Sequence, residues 1–294
     1  MNIICTTAAE HIGKRLATDY GFNVIFPDKN REGKRCFPDG EVYSRISGID
    51  NLRGRTIILH SGAPDPNAGL TELRMNLKIL KKAKIKPEVF FTYFPYGKQD
   101  QEFVKGETNA AKDLVEELVN YYRVKRIYII DVHFSQRRWL SEKKWFWFRK
   151  YPVINISVVD LLRQAALRDY PDLIFLTPDT GGQKRTGLAG TRKKRFDSYT
   201  IEIKSDEEFK AAVRGKRIGV IDDLLETGGT LAGFSEECTK YGALEAVALI
   251  THIVLPEGVQ KIRSKYAKIY ATNTINTGEA NLDITAIVAN VLSR

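Results

Sequence analysis

Residues 220–230 of this chain read Val-Ile-Asp-Asp-Leu-Leu-Glu-Thr-Gly-Gly-Thr. A short apolar run, typical of a buried strand, leads into two adjacent carboxylates and then into a glycine-threonine turn that opens a helix. Gly228 and Gly229 leave backbone N–H groups open to close approach by a ligand, and Thr227 and Thr230 add hydroxyl donors. The N-terminus of the following helix adds a partial positive charge. The turn therefore has the donors that bind a phosphate group.

Two carboxylates stand between that strand and that turn. Asp222 and Asp223 are expected at the C-terminal end of the strand, where their oxygens can accept hydrogen bonds from sugar hydroxyls. The alternative is an ordinary strand-turn-helix with a solvated acidic pair. However, a double acid followed at fixed spacing by Thr-Gly-Gly-Thr is a much more demanding pattern than a lone glycine motif. We therefore interpret residues 220–230 as a site for a ribose phosphate.

The chain has 294 residues, 43% of them hydrophobic and 28% charged, which is typical of a globular protein of about two domains. Its N-terminus, Met-Asn-Ile-Ile-Cys, lacks the pattern of a signal peptide, and no apolar run is long enough to span a bilayer. We therefore expect a cytoplasmic protein without a membrane partner. Cys5, Cys36 and Cys238 are far apart and lack a Cys-x-x-Cys spacing, so we interpret them as reduced packing residues.

The formal net charge of the chain is +10. Such a surplus is compatible with nucleic-acid binding or with an enzyme that handles several phosphates at once. No nucleic-acid-binding module surrounds the basic runs, so we expect no nucleic-acid partner. Most of these runs are interpreted as solvated surface. Residues 192–195, Arg-Lys-Lys-Arg, lie between two phosphate-type motifs and are the better functional candidate.

Strand and helix patterns alternate along the chain. This alternation indicates an α/β fold with mostly parallel sheets flanked by helices and with functional loops at the carboxyl ends of the strands. We divide the chain into domains 1–145 and 146–294, joined near the aromatic and basic stretch 139–151. Buried strands are predicted at 3–5, 56–60, 89–94, 126–131, 173–177, 217–221, 246–253 and 268–271, and helices at 67–83, 108–121, 206–213 and 229–241.

Four further motifs are found, one on a turn before a predicted strand and three directly after predicted strands. Phe37-Pro-Asp-Gly-Glu41 occupies a turn before an alternating run, 42–46, that predicts a strand; a plain hairpin turn is the alternative. Phe94-Pro-Tyr-Gly-Lys-Gln-Asp100 ends in a base, an amide and an acid, which suits a nucleotide. Asp131-Val-His-Phe-Ser-Gln136 offers an imidazole with carboxylate and amide neighbours. Pro178-Asp-Thr-Gly-Gly-Gln-Lys-Arg185 offers two glycines beside two cations, which suits a diphosphate.

Taken together and in this order, the five segments resemble the phosphoribosyl-diphosphate (PRPP) synthetase family. The family pattern has a Phe-x-Asp-Gly-Glu loop, an Arg-Gln-Asp loop, an Asp-Leu-His segment, a Pro-Asp-x-Gly-Gly loop and a final Asp-Asp-x-x-x-Thr-Gly-Gly-Thr loop. The resemblance implies two phosphoribosyltransferase-like domains of type I and a homo-oligomer with sites at domain and subunit boundaries. It also implies Mg²⁺-dependent transfer of the β,γ-diphosphoryl group of ATP to the anomeric hydroxyl of ribose 5-phosphate, with AMP leaving.

The resemblance assigns the nucleotide contacts by motif match. Phe37 would stack on adenine, and the two acids that follow it would accept hydrogen bonds from the exocyclic amine. Lys98 stands where the family usually has arginine, and because lysine lacks the planar fork of arginine, the grip on the nucleotide is expected to differ. The residues that would bind ATP are Phe37, Asp39, Glu41, Lys98, Gln99 and Asp100.

The same resemblance assigns the metal and the second substrate. His133 and Asp179 would hold Mg²⁺-bound phosphates. A lone histidine is more often structural, but here a metal or nucleotide role is favoured by its neighbours. The diphosphate loop would use Gly181, Gly182, Lys184 and Arg185, and the ribose phosphate would be bound by Asp222, Asp223, Glu226, Thr227, Gly228, Gly229 and Thr230.

The family carries a Lys-x-Arg pair on a catalytic loop that follows a strand. Here Lys204 follows the predicted strand 199–203 and matches the lysine, although Asp206 stands at the arginine position. The alternative pair is Lys193 and Arg195. We favour Lys204, with the neighbouring basic run compensating. The catalytic candidates are therefore His133, Lys194, Arg195 and Lys204.

Three functions stay open. The leading one is PRPP synthesis from ATP and ribose 5-phosphate. The second keeps the diphosphoryl transfer but uses a larger acceptor such as ADP-ribose, whose extra phosphates the surplus of cations could accommodate. The third is a non-catalytic homologue that regulates the enzyme, against which the retained acids and His133 argue. The stretch 139–151 has no counterpart in the family pattern and is interpreted as packing or subunit contact, or else as an aromatic wall for a second base.

Overall fold

The computed structural model describes residues 1–102, 104–134, 151–178, 192–195, 201–204 and 207–294; for 192–195, 201–204 and Glu208 it describes the backbone alone. Within these ranges the chain forms two units. Unit 1 holds the described residues up to 134, residues 151–156 and residues 284–294, and unit 2 holds the described residues from 157 to 283. The boundary predicted between residues 145 and 146 lies outside the described residues.

Strands and helices alternate in both units, which confirms the predicted α/β fold class. Turns of 3₁₀ helix, Thr7–Ala9 and Ile49–Asn51, supplement these elements. In chain order the elements are β1 (Asn2–Cys5), α1 (Glu10–Tyr20), β2 (Val24–Ile25), β3 (Thr56–Ser61), α2 (Pro66–Lys82), β4 (Glu88–Tyr93), α3 (Ala110–Glu116), β5 (Ile127–Ile130), β6 (Val153–Ile156), α4 (Val159–Asp169), β7 (Ile174–Leu176), β8 (Arg192–Arg195), β9 (Ile201–Lys204), α5 (Glu207–Val213), β10 (Arg217–Leu225), α6 (Gly229–Lys240), β11 (Glu245–Ile253), α7 (Pro256–Ile262), β12 (Lys268–Ala271) and α8 (Thr285–Ser293).

Unit 1 is built on a parallel sheet with the strand order β2-β1-β3-β4-β5-β6. Its central strands are buried on both faces and read as continuous apolar runs, as parallel strands covered by helices do. Ile58 pairs with Val89, and Phe90 pairs with Tyr128. Because all these strands run the same way, the loops after them emerge at one edge of the sheet.

Helix α2 covers this sheet and begins and ends close to the predicted 67–83. The Asp65 carboxylate caps it by accepting from the Asn67 and Ala68 N–H groups, and Pro66 takes the first helical position. The buried face contains Leu70, Leu73, Leu77 and Leu80. Its apolar period of three to four residues therefore identified both the helix and the face that it buries.

Helix α3 is shorter than the predicted 108–121. Asn109 caps it, and beyond Glu116 the helical path continues to Tyr121 as a π-helix. In this wider turn the Tyr122 N–H donates to the carbonyl of Glu117 at 3.3 Å, five residues back.

Unit 2 is built on a second parallel sheet, with the strand order β12-β11-β10-β7. Strand β10 is longer than the predicted 217–221 because its pairing with β11 continues to the end, with Leu224 opposite His252 and Leu225 opposite Ile253. The backbones of β8 and β9 form a separate antiparallel pair.

Several elements differ from the sequence-based expectations. The strand expected at 42–46 is absent, because Val42 makes only an isolated bridge with Cys36. Strand β6 and helices α1, α4, α7 and α8 were not predicted. Strand β6 pairs with β5, and α8 lies in unit 1, although the division at residue 145 had assigned both to the second domain.

The cysteines are only partly the packing residues that we expected. Cys5 and Cys238 are buried, and burial raises the pKa of the Cys238 thiol to about 12. Cys36 is exposed, so the packing interpretation is wrong for it. No helix in the described part of the chain is both long enough and apolar enough to cross a membrane.

Arg55, the residue before β3, connects β4, β5 and the C-terminal helix α8 of unit 1 by hydrogen bonds. Its Nε and Nη2 atoms donate to Glu88 Oε2 at 3.1 and 2.8 Å, and its Nη1 donates to the Leu292 carbonyl at 2.6 Å. The Tyr128 hydroxyl donates to the same Glu88 oxygen at 3.2 Å. The Glu88 side chain is 8% exposed, so its carboxylate depends on these donors for compensation.

We predict that Arg55→Ala lowers the free energy of unfolding by about 2 kcal/mol, because it removes the two guanidinium hydrogen bonds to the buried Glu88 carboxylate, which keeps the Tyr128 hydroxyl, and the donor to the Leu292 carbonyl. Urea unfolding followed by circular dichroism measures this. Arg53→Ala is the matched control: Arg53 is exposed and donates to carbonyls of its own loop, so its loss should cost less than about 0.5 kcal/mol. Equal stability of the two variants would contradict the assignment.

Candidate functional site

The predicted motif Phe37–Glu41 forms an exposed turn in unit 1. The Phe37 N–H donates to the Glu41 carbonyl at 2.7 Å, and the Glu41 N–H donates to the Asp39 carboxylate at 3.1 Å. Gly40 has a φ of 92°, which side chains disfavour. Phe37 is 43% exposed, and its ring contacts the Tyr43 ring edge-on. The turn therefore presents an aromatic ring and two carboxylates to solvent.

The second motif forms the loop that follows β4, residues 94–100. Asn109, which caps α3, donates from its side-chain amide to the Asp100 carbonyl at 2.5 Å. Lys98 is exposed, and Gln99 and Asp100 are half-buried. The end of this loop is thus held at helix α3 by Asn109, while Lys98 is exposed to solvent.

The loop after β4 packs against His133, which lies just beyond β5. A Cβ added to Gly97 would lie 3.6 Å from the His133 Cβ and 3.6 Å from the Phe134 ring. The rings of Phe94 and Phe134 pack edge to face with centroids 5.4 Å apart. Since β4 and β5 are adjacent strands, their loops meet at the carboxyl edge of the sheet. The structure therefore brings the Lys98 loop and His133 together.

The backbone that leads to His133 is held by β6. Asp131 is buried with a φ of 37°, and its N–H donates to the Ile156 carbonyl at 3.0 Å. The Val132 N–H donates to Asn155 Oδ1 at 2.9 Å. Sequence reasoning missed Asn155 because it missed the strand on which this side chain lies.

In unit 2, Asp222 and Asp223 lie within β10 and not after it, which corrects the expected placement. The two residues are 7% and 3% exposed, and the Asp223 N–H donates to Asp222 Oδ1 at 3.0 Å. Asp222 is paired with Ile250 of β11. The acidic pair is therefore a buried part of the sheet, not the solvated surface pair of the alternative reading.

The glycine-threonine turn follows this strand as predicted. Gly228 has a φ of 72° in the left-handed region, and α6 begins at Gly229. Thr227 is exposed and Thr230 is half-buried. Tyr266 contacts the first turn of α6, where its hydroxyl donates to the carbonyl of Leu231 at 2.8 Å. Burial raises the pKa of this hydroxyl.

Helix α7 packs directly against this turn. A Cβ added to Gly228 would lie 2.8 Å from the Gly258 carbonyl oxygen and 3.1 Å from Ile262. A Cβ added to Gly258 would overlap the Glu226 carbonyl oxygen. Glycine is required at both positions because two backbone segments touch there. The Glu226–Gly228 backbone is thereby held against a helix.

Sequence reasoning missed a buried polar group on β11, the strand that pairs with β10. His252 on β11 is 3% exposed, and its Nδ1 lies 2.9 Å from Thr274 Oγ1. The Thr274 hydroxyl also donates to the Thr251 carbonyl at 2.9 Å. A histidine at the end of an otherwise apolar strand was the available signal.

The two candidate sets for the catalytic loop lie on one backbone ribbon. In the pairing of β8 with β9, Arg192 is opposite Lys204, Lys194 is opposite Glu202, and Arg195 is opposite Ile201. The side chains of Lys194, Arg195 and Lys204 lie outside the described residues. So do Asp179, Gly181, Gly182, Lys184 and Arg185.

This chain is similar to enzymes named ribose-phosphate pyrophosphokinase. It is 23% identical to the one from Thermoplasma acidophilum over 100% of this chain and 99% of the relative, and 24% identical to the one from Thermoplasma volcanium over 99% and 98%. No protein-family model matches the chain. The solved phosphoribosylpyrophosphate synthetase from Mycobacterium smegmatis superposes with a TM-score of 0.80, at 21% identity, covering 99% of this chain and 97% of that one. The chain therefore has the two-domain phosphoribosyltransferase-type fold of that enzyme.

We predict that Gly258→Ala lowers the free energy of unfolding by about 2 kcal/mol, although alanine normally stabilises a helix by up to about 1 kcal/mol. The added methyl group would overlap the Glu226 carbonyl oxygen. Gly69→Ala in α2 is the control, since its Cβ would keep a 3.4 Å contact with His60 and should leave stability unchanged or raised. Urea unfolding of both variants measures the difference. A gain of stability in Gly258→Ala would refute the close packing.

Proposed function

We propose that this protein transfers the β,γ-diphosphoryl group of ATP to the anomeric hydroxyl of ribose 5-phosphate, giving PRPP and AMP. The observation that carries this proposal is the turn after β10, where two buried acids precede a glycine turn held against α7. Full-length similarity to enzymes named ribose-phosphate pyrophosphokinase supports it.

The acceptor half of the reaction belongs to unit 2. The hydroxyls of Thr227 and Thr230 and the backbone N–H groups of the glycine turn would bind the 5-phosphate, with Glu226 beside them. Asp222 and Asp223 would accept hydrogen bonds from the ribose hydroxyls. Because Asp222 is paired with Ile250 of β11, this acidic pair is held in place and would orient the ribose without reorganising.

The nucleotide half belongs to unit 1. The exposed Phe37 ring offers a stacking surface for adenine, and Asp39 and Glu41 offer acceptors for its amine. Lys98 would contribute a positive charge to the ATP phosphates, and its loop packs against His133. Gln99 and Asp100 would line the nucleotide.

Magnesium suits this reaction. The described residues hold no group of three or more His, Cys, Asp or Glu that could bind a metal by themselves. Mg²⁺ in phosphoryl-transfer sites usually rests on one or two protein groups and on substrate phosphates, so this donor set is compatible with it. We propose His133 and Asp179 as its protein contacts. When bound, it would neutralise negative charge on the diphosphoryl group.

The chain's own residues would act by positioning and by charge. Phosphoryl transfer needs in-line placement and cationic stabilisation of the charge that spreads over the transferred group, and it needs little covalent chemistry from the protein. Lys204, Lys194 and Arg195 are proposed as those cations. A homo-oligomer with shared sites and a cytoplasmic location belong to the same proposal.

We predict that ribose 5-phosphate has a higher kcat/KM than ADP-ribose. Both acceptors present the same anomeric hydroxyl, and the turn after β10 is proposed to bind a terminal phosphate. A competition assay with ATP, Mg²⁺ and equal amounts of the two acceptors, read by mass spectrometry, measures the ratio; a parallel sample with excess chelator should form no product. Faster formation of a diphosphate on ADP-ribose would show that ADP-ribose, and not ribose 5-phosphate, is the preferred acceptor. Absence of any transfer would favour a non-catalytic protein.

We predict that Asp223→Asn lowers kcat/KM by more than about 100-fold, because the neutral amide replaces one of the two acceptor oxygens for sugar hydroxyls by a donor. The variant should bind ATP as tightly as the wild type in a separate titration, and its urea unfolding curve should match that of the wild type, which shows that unit 2 is folded. Asp160→Asn, an exposed acid of α4, is the control with unchanged turnover. Near-normal turnover in Asp223→Asn would remove the ribose assignment.

A further inference from the structure

A lysine of α7 lies beside the turn proposed to bind the 5-phosphate. A Cβ added to Gly229 would lie 3.8 Å from Lys261 Nζ and 3.9 Å from Thr227 Oγ1. The ammonium group and the threonine hydroxyl therefore approach the same point at the start of α6. None of the five sequence motifs contains Lys261.

The packing of α7 explains why Lys261 lies there. Gly258 contacts the turn through its backbone, and Ile262 contacts it through its side chain. Residues three and four positions apart lie on one face of a helix, so Lys261 shares the face that carries these two contacts. The backbone of Lys261 is thus held next to the turn.

The neighbouring cations of this segment have acidic partners. Arg263 pairs with Glu279 at 3.1 Å, and Lys265 pairs with Glu236 at 3.0 Å. Lys261 makes no ion pair with a carboxylate in the part of the chain that the structure describes, and its side chain is exposed. Its charge is directed to the turn and is not neutralised there.

We propose that Lys261 binds the terminal phosphate of the ribose substrate and selects for a phosphate monoester. This inference rests on the proposed function, because it concerns the same acceptor site. A monoester carries close to two negative charges at neutral pH, whereas each phosphate within a diphosphate bridge such as that of ADP-ribose carries about one. A point charge added to the neutral N–H and hydroxyl donors of the turn therefore favours the monoester.

The test compares Lys261→Met, Lys261→Arg and the control Lys265→Met. Calorimetry with ribose 5-phosphate alone measures binding, and steady-state assays with ATP and Mg²⁺ measure the KM of each substrate. Lys261→Met should weaken ribose 5-phosphate binding about 10-fold and raise its KM equally, because an exposed charge-assisted hydrogen bond is lost. The KM for ATP should change less than about 2-fold, Lys261→Arg should retain most of the affinity, and Lys265→Met should bind as the wild type does.

The measurements separate this inference from the proposed function. Wild-type affinity of Lys261→Met for ribose 5-phosphate would overturn the inference, and normal PRPP formation in that variant would leave the proposed function standing. An affinity that depends on Lys261 in a protein that forms no PRPP would keep the inference and reject the reaction. If the wild type does not bind ribose 5-phosphate, or if Lys261→Met weakens ATP equally, the inference is wrong.

Discussion

The candidate acceptor site depends on a contact between two backbone segments. Helix α7 lies so close to the Glu226–Gly228 backbone that neither Gly228 nor Gly258 leaves room for a methyl group without displacing its neighbour. A flexible glycine turn would lose entropy on binding a phosphate, whereas a turn already packed against a helix loses less. The same contact holds Lys261 beside the turn. The positions of the N–H and hydroxyl groups that are proposed to bind phosphate therefore follow from this packing. The groups themselves are those of any turn made of glycine and threonine.

Parallel strand order provides the second constraint. In unit 1, adjacency of β4 and β5 brings the Lys98 loop against His133, although the two segments are more than thirty residues apart in sequence. In unit 2, the pairing of β10 with β11 extends far enough to bury both acids of the Asp-Asp pair. Burial fixes their carboxylates, and orientation of a sugar hydroxyl requires such fixed acceptors. Each unit thus concentrates its polar chemistry at the carboxyl edge of its own sheet.

The positively charged side chains near the glycine-threonine turn differ in their partners. In the C-terminal part of the chain Arg263 and Lys265 are paired with acids, whereas Lys261 faces the phosphate-type turn. The net charge of +10 therefore indicates less about binding partners than does the position of a single cation such as Lys261. Strand β8, which contains the basic residues 192–195, pairs with β9, which ends at Lys204. The two alternatives for the catalytic loop therefore lie on the same two-stranded ribbon.

The sequence by itself determined the α/β class, the turn after β10 and the buried face of α2, because apolar period and glycine-threonine chemistry are local properties. It did not reveal β6, and hence Asn155, because this polar residue interrupts the short apolar run and the place of the strand in the sheet is set by its pairing with β5. It ended β10 too early, because only pairing with β11 carries that strand through two carboxylates. The proximity of Lys261 to the turn was decided by tertiary structure alone: it results from two glycines thirty residues apart that allow their backbones to touch.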